Sequence, residues 1–195
     1  ADVISANFNL GSGKSPFLNA GVYSDGQVHT FKTIPAHSGP RKTLGDIVLP
    51  DDAVQSEYFV APDRLSEWEY LKGAKTIQRT HKASGASYNY AEGKMAFPDL
   101  LTNPSRTILT GEGGTSPSRF KHIIETKSGH RRLTPVELER LNGFPDGWTS
   151  TGVDGSQISD ARRAFFMGNA LVVGLVERVG KVLASEVKSS QHGRR

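Results

Sequence analysis

Between Ser105 and Arg132 the chain concentrates residue types that bind anions. Six Lys or Arg (106, 119, 121, 127, 131 and 132) stand against two Glu (112 and 125), so this stretch carries a net +4, equal to that of all 195 residues. Gly, Ser and Thr are interleaved with the cations, most densely in GlyGluGlyGlyThrSerProSer at 111–118. Glycines let the main chain approach a groove closely, and exposed N–H groups and hydroxyls can bond phosphate oxygens or base edges. A pI of about 9.4 permits a nucleic-acid partner without requiring one. A solvated surface loop would show the same composition.

Other chemistries are excluded by composition. There is no cysteine, which removes disulfides, thiolate metal sites and a cysteine nucleophile. The six His residues form no HisGluxxHis pattern and no tight pair, so no metal site is expected. GlySerGlyLysSer at 11–15 resembles part of a phosphate loop. That motif, however, requires Gly five residues before Gly13, where Phe8 stands, and a flexible turn is the expectation. No apolar run reaches the length of a membrane span and no signal peptide opens the chain, so no membrane partner is expected.

The elements that must position these residues are short. Asp25-Gly26 between Val22-Tyr23 and the run Val28 to Phe31 predicts a hairpin. Residues 43–49 predict a short helix or turn ended by Pro50, and 63–72 a helix with Leu65, Trp68 and Leu71 on one face. From Ala74 to Phe97 the pattern is that of strands, with AlaGluGlyLys at 91–94 as the turn. ArgThrIleLeuThr at 106–110 and ArgPheLysHisIleIle at 119–124 read as two further strands. Thr134, Pro135 and Glu137 form a capping box that opens a helix, Leu138 and Leu141 share its face, and Gly143 stops it. A helix begins at Ser159. The last one, Leu171 to about Val187, is amphipathic, with Val172, Leu175, Val176, Val179, Val182 and Leu183 on one side.

The run Arg-x-Leu-Thr-x-x-Glu-x-x-Arg-Leu-x-Gly-Phe-Pro from Arg131 resembles motif IX of DNA (cytosine-5) methyltransferases. GlyAsnAlaLeuVal at 168–172, at the start of the terminal helix, resembles motif X at the family's usual spacing, with Leu171 where Val is commoner. Thr107-Ile108 before a glycine-rich turn resembles the Thr-Leu/Ile/Val pair of the family's target recognition domain. ThrLeuGlyAspIle at 43–47 and the stretch 16–26 are similar to the segment soon after motif VIII in bacterial members. The resemblance covers almost the whole chain, but only from just after motif VIII to motif X.

That resemblance implies an α+β architecture in named parts. Residues 1–50 come after motif VIII and enter the small domain, and 51–130 form a β-rich target recognition domain with short helices. Motif IX occupies 131–148, motif X and the C-terminal helix 159–188, and a disordered tail 189–195. The amphipathic terminal helix would pack on a Rossmann-like catalytic domain absent from this chain. Family chemistry adds a thiolate to C6 of a flipped cytosine, and C5 takes the methyl of S-adenosylmethionine. The Pro-Cys, Phe-x-Gly-x-Gly, Glu-Asn-Val and Gln-Arg-x-Arg-Arg motifs that carry this chemistry do not occur here. No catalytic residue is therefore expected in this chain, which should be inactive alone.

The partners implied are double-stranded DNA and a catalytic polypeptide carrying motifs I to VIII, either a second subunit or the rest of a longer chain. The setting implied is a bacterial cytoplasm. DNA contacts are expected from Arg79, Lys82, Arg106, Thr107 and Ile108. Further contacts are expected from the glycine loop and the strand after it: Gly113, Gly114, Ser116, Ser118, Arg119, Lys121 and His122. Arg131, Thr134, Glu137, Arg140 and Gly143 would organise motif IX. Gly168, Asn169 and Ala170 would help close the S-adenosylmethionine pocket. The alternative is a stand-alone sequence-selective DNA-binding remnant, which should cover the apolar face of its terminal helix internally. A third alternative, an RNA-binding protein, predicts aromatic stacking positions beside the basic strip, yet residues 105–132 hold only Phe120.

Overall fold

The computed structural model describes residues 2–3, 17–34 and 38–192, with side chains at 17–34 and 38–187. The GlySerGlyLysSer run at 11–15 lies outside the described residues. The chain divides into two compact units, residues 1–40 and 41–195, so the first ends before the expected boundary at 50.

In the first unit, β2 (Ala20–Ser24) and β3 (Gln27–Phe31) form the hairpin the sequence predicts, and β1 (Asp2–Val3) adds to the far edge of β3. Asp25 and Gly26 both take positive φ (51° and 75°), the two-residue turn whose twist matches its strands. The Thr30 hydroxyl donates to the Ala20 carbonyl (3.0 Å) and accepts from the Leu18 N–H (2.7 Å).

The second unit is mixed α/β, with short helices and small two-stranded sheets. Thr43 caps a 3-10 turn at Leu44–Asp46, which Pro50 follows as predicted. Helix α1 (Leu65–Lys72) buries Trp68, with Leu65 and Leu71 half-buried beside it. Strands β4 (Lys75–Thr80) and β5 (Ser87–Glu92) pair antiparallel, Gln78 opposite Asn89. The turn at 91–94 is not formed. The chain reverses at 81–86, and β5 runs on to Glu92 because that carboxylate is held by Lys75 and Arg119.

Neither 106–110 nor 119–123 is a strand, contrary to the β-branched content. The regular pairing in this region belongs to β6 (Ile124–Thr126) and β7 (Gly129–Arg131), a hairpin turning on Lys127-Ser128. The reason is where the backbone hydrogen bonds go, since buried N–H and C=O groups must find partners. The Ile123 N–H donates to Asp99 (2.9 Å) and the His122 N–H to Glu112 (2.6 Å). The Lys121 carbonyl accepts from Lys72 (2.6 Å) and Arg106 (3.1 Å), and the Phe120 carbonyl from Arg106 (3.0 Å). Charged side chains occupy the places of a neighbouring strand.

Helix α2 (Pro135–Asn142) has its predicted ends: a complete Thr134/Glu137 capping box, Pro at the first position and Gly143 left-handed at φ 82°. Helix α3 (Asp160–Asn169) follows Ser159 as predicted and packs on α2. Leu44, Ile108, Ile124, Leu133, Leu138, Ala164 and Met167 close the core between these helices and the segments before them. Helix α4 starts at Val173 rather than Leu171 and runs to His192, past Ser189 where a disordered tail is expected from the sequence. GlyAsnAlaLeuVal therefore spans the end of α3 and the link to α4, not the start of the terminal helix.

Candidate nucleic-acid interface

The stretch resembling motif IX is built around a fully buried ion pair. The Arg131 guanidinium grips Glu137 through both terminal nitrogens (2.7 and 3.0 Å), and both side chains are fully buried. Glu137 also accepts from the Thr134 N–H (2.7 Å), closing the capping box, and from the Leu49 N–H (2.8 Å). One carboxylate thus caps the helix, neutralises Arg131 and ties the segment after the 3-10 turn to α2. Arg140 forks onto Asp146 (2.8 and 2.6 Å) and donates to the Ile47 carbonyl (3.0 Å). Glu139, also buried, accepts from Gly147 N–H (2.7 Å), Thr149 and Arg163 (3.0 Å). Burial alone would raise the Glu139 carboxyl, but Thr149 and Arg163 hold it below the ordinary carboxylate range.

Asp99 is the second electrostatic centre. It receives Arg106 in fork geometry (2.8 and 2.9 Å) and the Ile123 N–H, with the fully buried Lys72 ammonium 3.5 Å away. Burial pushes its carboxyl up. The bonds from Arg106 and Ile123 and the charge of Lys72 win, holding it below the ordinary value. His122, fully buried, joins Glu112 through Nδ1 (3.0 Å) and the Ser105 hydroxyl through Nε2 (3.1 Å). Lys72, Asp99 and Glu112 carry no signal in the sequence, because a lone charge near a helix end or in a loop reads as solvated.

This geometry revises the expected DNA contacts. Ile108 is a core residue, and His122 is buried among Glu112 and Ser105. Lys121 donates to the Gly114 (2.7 Å) and Ser116 carbonyls, and burial lowers its ammonium pKa. Arg132, expected on the basic strip, donates to the Glu57 carbonyl (2.8 Å) and lies over the Tyr58 ring. Arg106 is held by Asp99. Arg119 is paired with Glu92 and donates to the Gly93 carbonyl (2.8 Å). Gly113 approaches α3 rather than a groove: a Cβ there would sit 2.7 Å from that of Ala164. Thr107, Gly114 and Ser116 remain exposed and Ser118 is half-buried. Arg79 and Lys82 are exposed on the β4–β5 hairpin, Arg79 lying 3.8 Å from the centre of the Tyr90 ring.

The end of α3 brings Gly168, in the stretch resembling motif X, against the segment that follows Thr107-Ile108. A Cβ on Gly168 would lie 2.4 Å from the Thr110 nitrogen, so only glycine permits the approach. Asn142 donates to the Met167 carbonyl (2.9 Å), linking α2 to the same turn. A cleft of about 350 Å³ opens there between Ser105–Ile108, Leu141-Asn142 and the residues from Met167 to Val172. Asn169 is exposed and donates to the Phe165 carbonyl (3.0 Å), while Ala170 is half-buried. Gly168 and Ala170 line this cleft, and Asn169 stands beside them in the chain. Among the described residues no group of His, Asp or Glu could hold a metal ion. No described helix is long and apolar enough to cross a membrane.

Helix α2 and the end of α3, which carry the stretches resembling motifs IX and X, thus pack together beside a basic segment. The model of the C-5 cytosine-specific DNA methylase family matches residues 23–185, and the chain belongs to that family. It is 40% identical over 177 residues to the type II methyltransferase M.Sau3AI of Staphylococcus aureus, an alignment covering 91% of this chain and 39% of that relative. The chain thus spans about two-fifths of the length of the curated relative it matches.

Proposed function

We propose that this chain is the DNA-recognition and C-terminal part of a DNA (cytosine-5) methyltransferase of a bacterial restriction–modification system. The thiolate and most of the cofactor site come from a catalytic part carrying motifs I to VIII, on a second polypeptide or elsewhere in a longer one. S-adenosylmethionine, when bound there, supplies the methyl group for C5 of a flipped cytosine. Within this chain, Arg79 and Lys82 face DNA phosphates, and Thr107, Gly114 and Ser116 line the duplex. Asn169 and its neighbours form the rim of the cofactor pocket. The buried cations shape the loop instead of touching DNA.

The observation that carries the proposal is the bare apolar face of α4. Leu175, Val176, Val179, Val182 and Leu183 are 47 to 61% exposed, along a helix of 20 residues. Helices in water owe most of their stability to packing of such a face. Covering these side chains is worth on the order of 5 kcal/mol at about 25 cal/mol per Å². A stand-alone DNA-binding module would bury that stripe within itself. A catalytic domain seated on α4, next to the motif X rim, would cover it and complete the pocket.

The test is methyl transfer from labelled S-adenosylmethionine to cytosine-containing DNA, by this chain alone and mixed with the catalytic part. Transfer only in the mixture is expected. Transfer by this chain alone, or sequence-selective binding with silence in the mixture, would overturn the proposal.

A further inference from the structure

The β4–β5 ribbon stands in solvent with both faces exposed from Thr76 to Asn89, and its two faces differ in chemistry. Directly paired residues share a face, and successive residues alternate. One face carries Lys75, Ile77 and Arg79 with Tyr88, Tyr90 and Glu92. Contacts tie it together: Arg79 over Tyr90, Lys75 to Glu92 (3.2 Å), and Arg119 to Glu92, which anchors the ribbon's base. The other face carries Thr76, Gln78 and Thr80 with Ser87, Asn89 and Ala91. It holds no charge, and among the described residues neither the Gln78 nor the Asn89 carboxamide has a partner.

We infer that this hydroxyl-and-amide face lies in the major groove of the target duplex and reads base edges, with the Gln78–Asn89 pair recognising adenine. The inference rests on the methyltransferase proposal for the presence of DNA, and deepens it by naming the residues that set specificity. The dimensions agree. Two strands about 4.8 Å apart enter a groove about 12 Å wide, and six residues at about 3.3 Å each run roughly 20 Å, the rise of about six base pairs. A carboxamide presents one donor and one acceptor side by side, the complement of adenine N7 and N6–H₂, while Thr methyls suit the thymine methyl. Lys82, exposed at the ribbon's tip, adds a cation for the phosphates at one end. The glycine loop cannot take this part, since Lys121 holds its carbonyls and α3 backs it.

The test uses the complete enzyme, this chain together with its catalytic part, on a randomised duplex library. Bound duplexes and methylated duplexes are sequenced in parallel. Gln78→Ala and Asn89→Ala should each relax the preference at an A·T pair by roughly ten- to a hundred-fold, with unchanged thermal midpoint, since both side chains are exposed. Gln78→Glu should move that preference from adenine towards cytosine, whose N4–H₂ offers only a donor. Lys82→Ala should weaken binding to all sequences alike. Retention of the parent's preference in all three ribbon-face variants would overturn the inference while leaving the methyltransferase proposal standing. Base-specific binding without methylation would count against the enzymatic proposal alone. A parent enzyme showing neither would overturn both.

Discussion

The glycine loop at 111–118 with its flanking cations, and the β4–β5 hairpin, look alike as strings of basic and hydroxyl residues. In the folded chain they are opposites. Lys121, His122 and Arg132 are buried, and their donors close on carbonyls and carboxylates of the same molecule. On the hairpin, Arg79 and Lys82 are exposed, and among the described residues the Gln78 and Asn89 carboxamides have no partner. The lesson is that a cluster of positive charge marks a partner only where the charges stay outside. A basic loop rich in glycine carries many carbonyls, and cations from within the fold are the simplest way to satisfy them without a neighbouring strand.

The contrast can be broken or sharpened by experiment, the largest effect first. Glu137→Ala leaves the buried Arg131 with only the more distant Asp51 carboxylate, 3.7 Å away, as counter-charge and opens the α2 cap. It should cost about 3–5 kcal/mol in denaturant unfolding. A loss of less than about 1 kcal/mol, the scale of an exposed pair, would mean that the contact does not organise motif IX. Gly168→Ala places a methyl against the Thr110 backbone and should cost about 1–3 kcal/mol, visible as a lowered thermal midpoint. An unchanged midpoint would show that α3 does not seat so closely on the 106–110 segment.

Lys121→Met separates the two regions directly. If the ammonium holds the loop, unfolding should become easier by about 1–3 kcal/mol, and the salt dependence of DNA binding should not change. If it contacts phosphate instead, the salt slope should fall by about one with stability unaltered.

Acid should loosen the buried side of the contrast. Asp99 and Glu139 both have carboxyls held below their ordinary values, so their contribution is present above the unfolded range near pH 4 and lost as pH falls through the folded values. Unfolding free energy measured from about pH 6 down to about pH 3 should decline, and Glu139→Gln should flatten the decline. A parallel curve would place the acid sensitivity elsewhere. The smallest effect belongs to Lys82→Ala: the thermal midpoint should stay put and the salt slope of binding should drop by about one. No change in slope would remove the hairpin tip from the interface.

Local chemistry is legible without coordinates wherever it acts over a few neighbouring residues. Asp25-Gly26 forms its turn, Thr134, Glu137 and Gly143 bound α2, and Ser159 opens α3. The amphipathic stripe of α4 is legible too, and it is bare in the structure. The segments at 106–110 and 119–123 are not, because β-branched content signals a strand only when another strand is available to pair with it. Here Asp99, Glu112, Arg106 and Lys72 supply those bonds from distant points in the chain.

The candidate site divides the same way. Sequence by itself determined the family, the capped ends of α2 and the want of a thiolate in these residues. Tertiary structure alone decided which cations are buried, that Gly113 and Gly168 serve helix packing, and which face of the β4–β5 ribbon is left to meet a partner. The physical reason is range. Caps and turns are set by bonds between near neighbours, whereas a side chain's freedom to bind something else depends on what the rest of the fold has already placed against it.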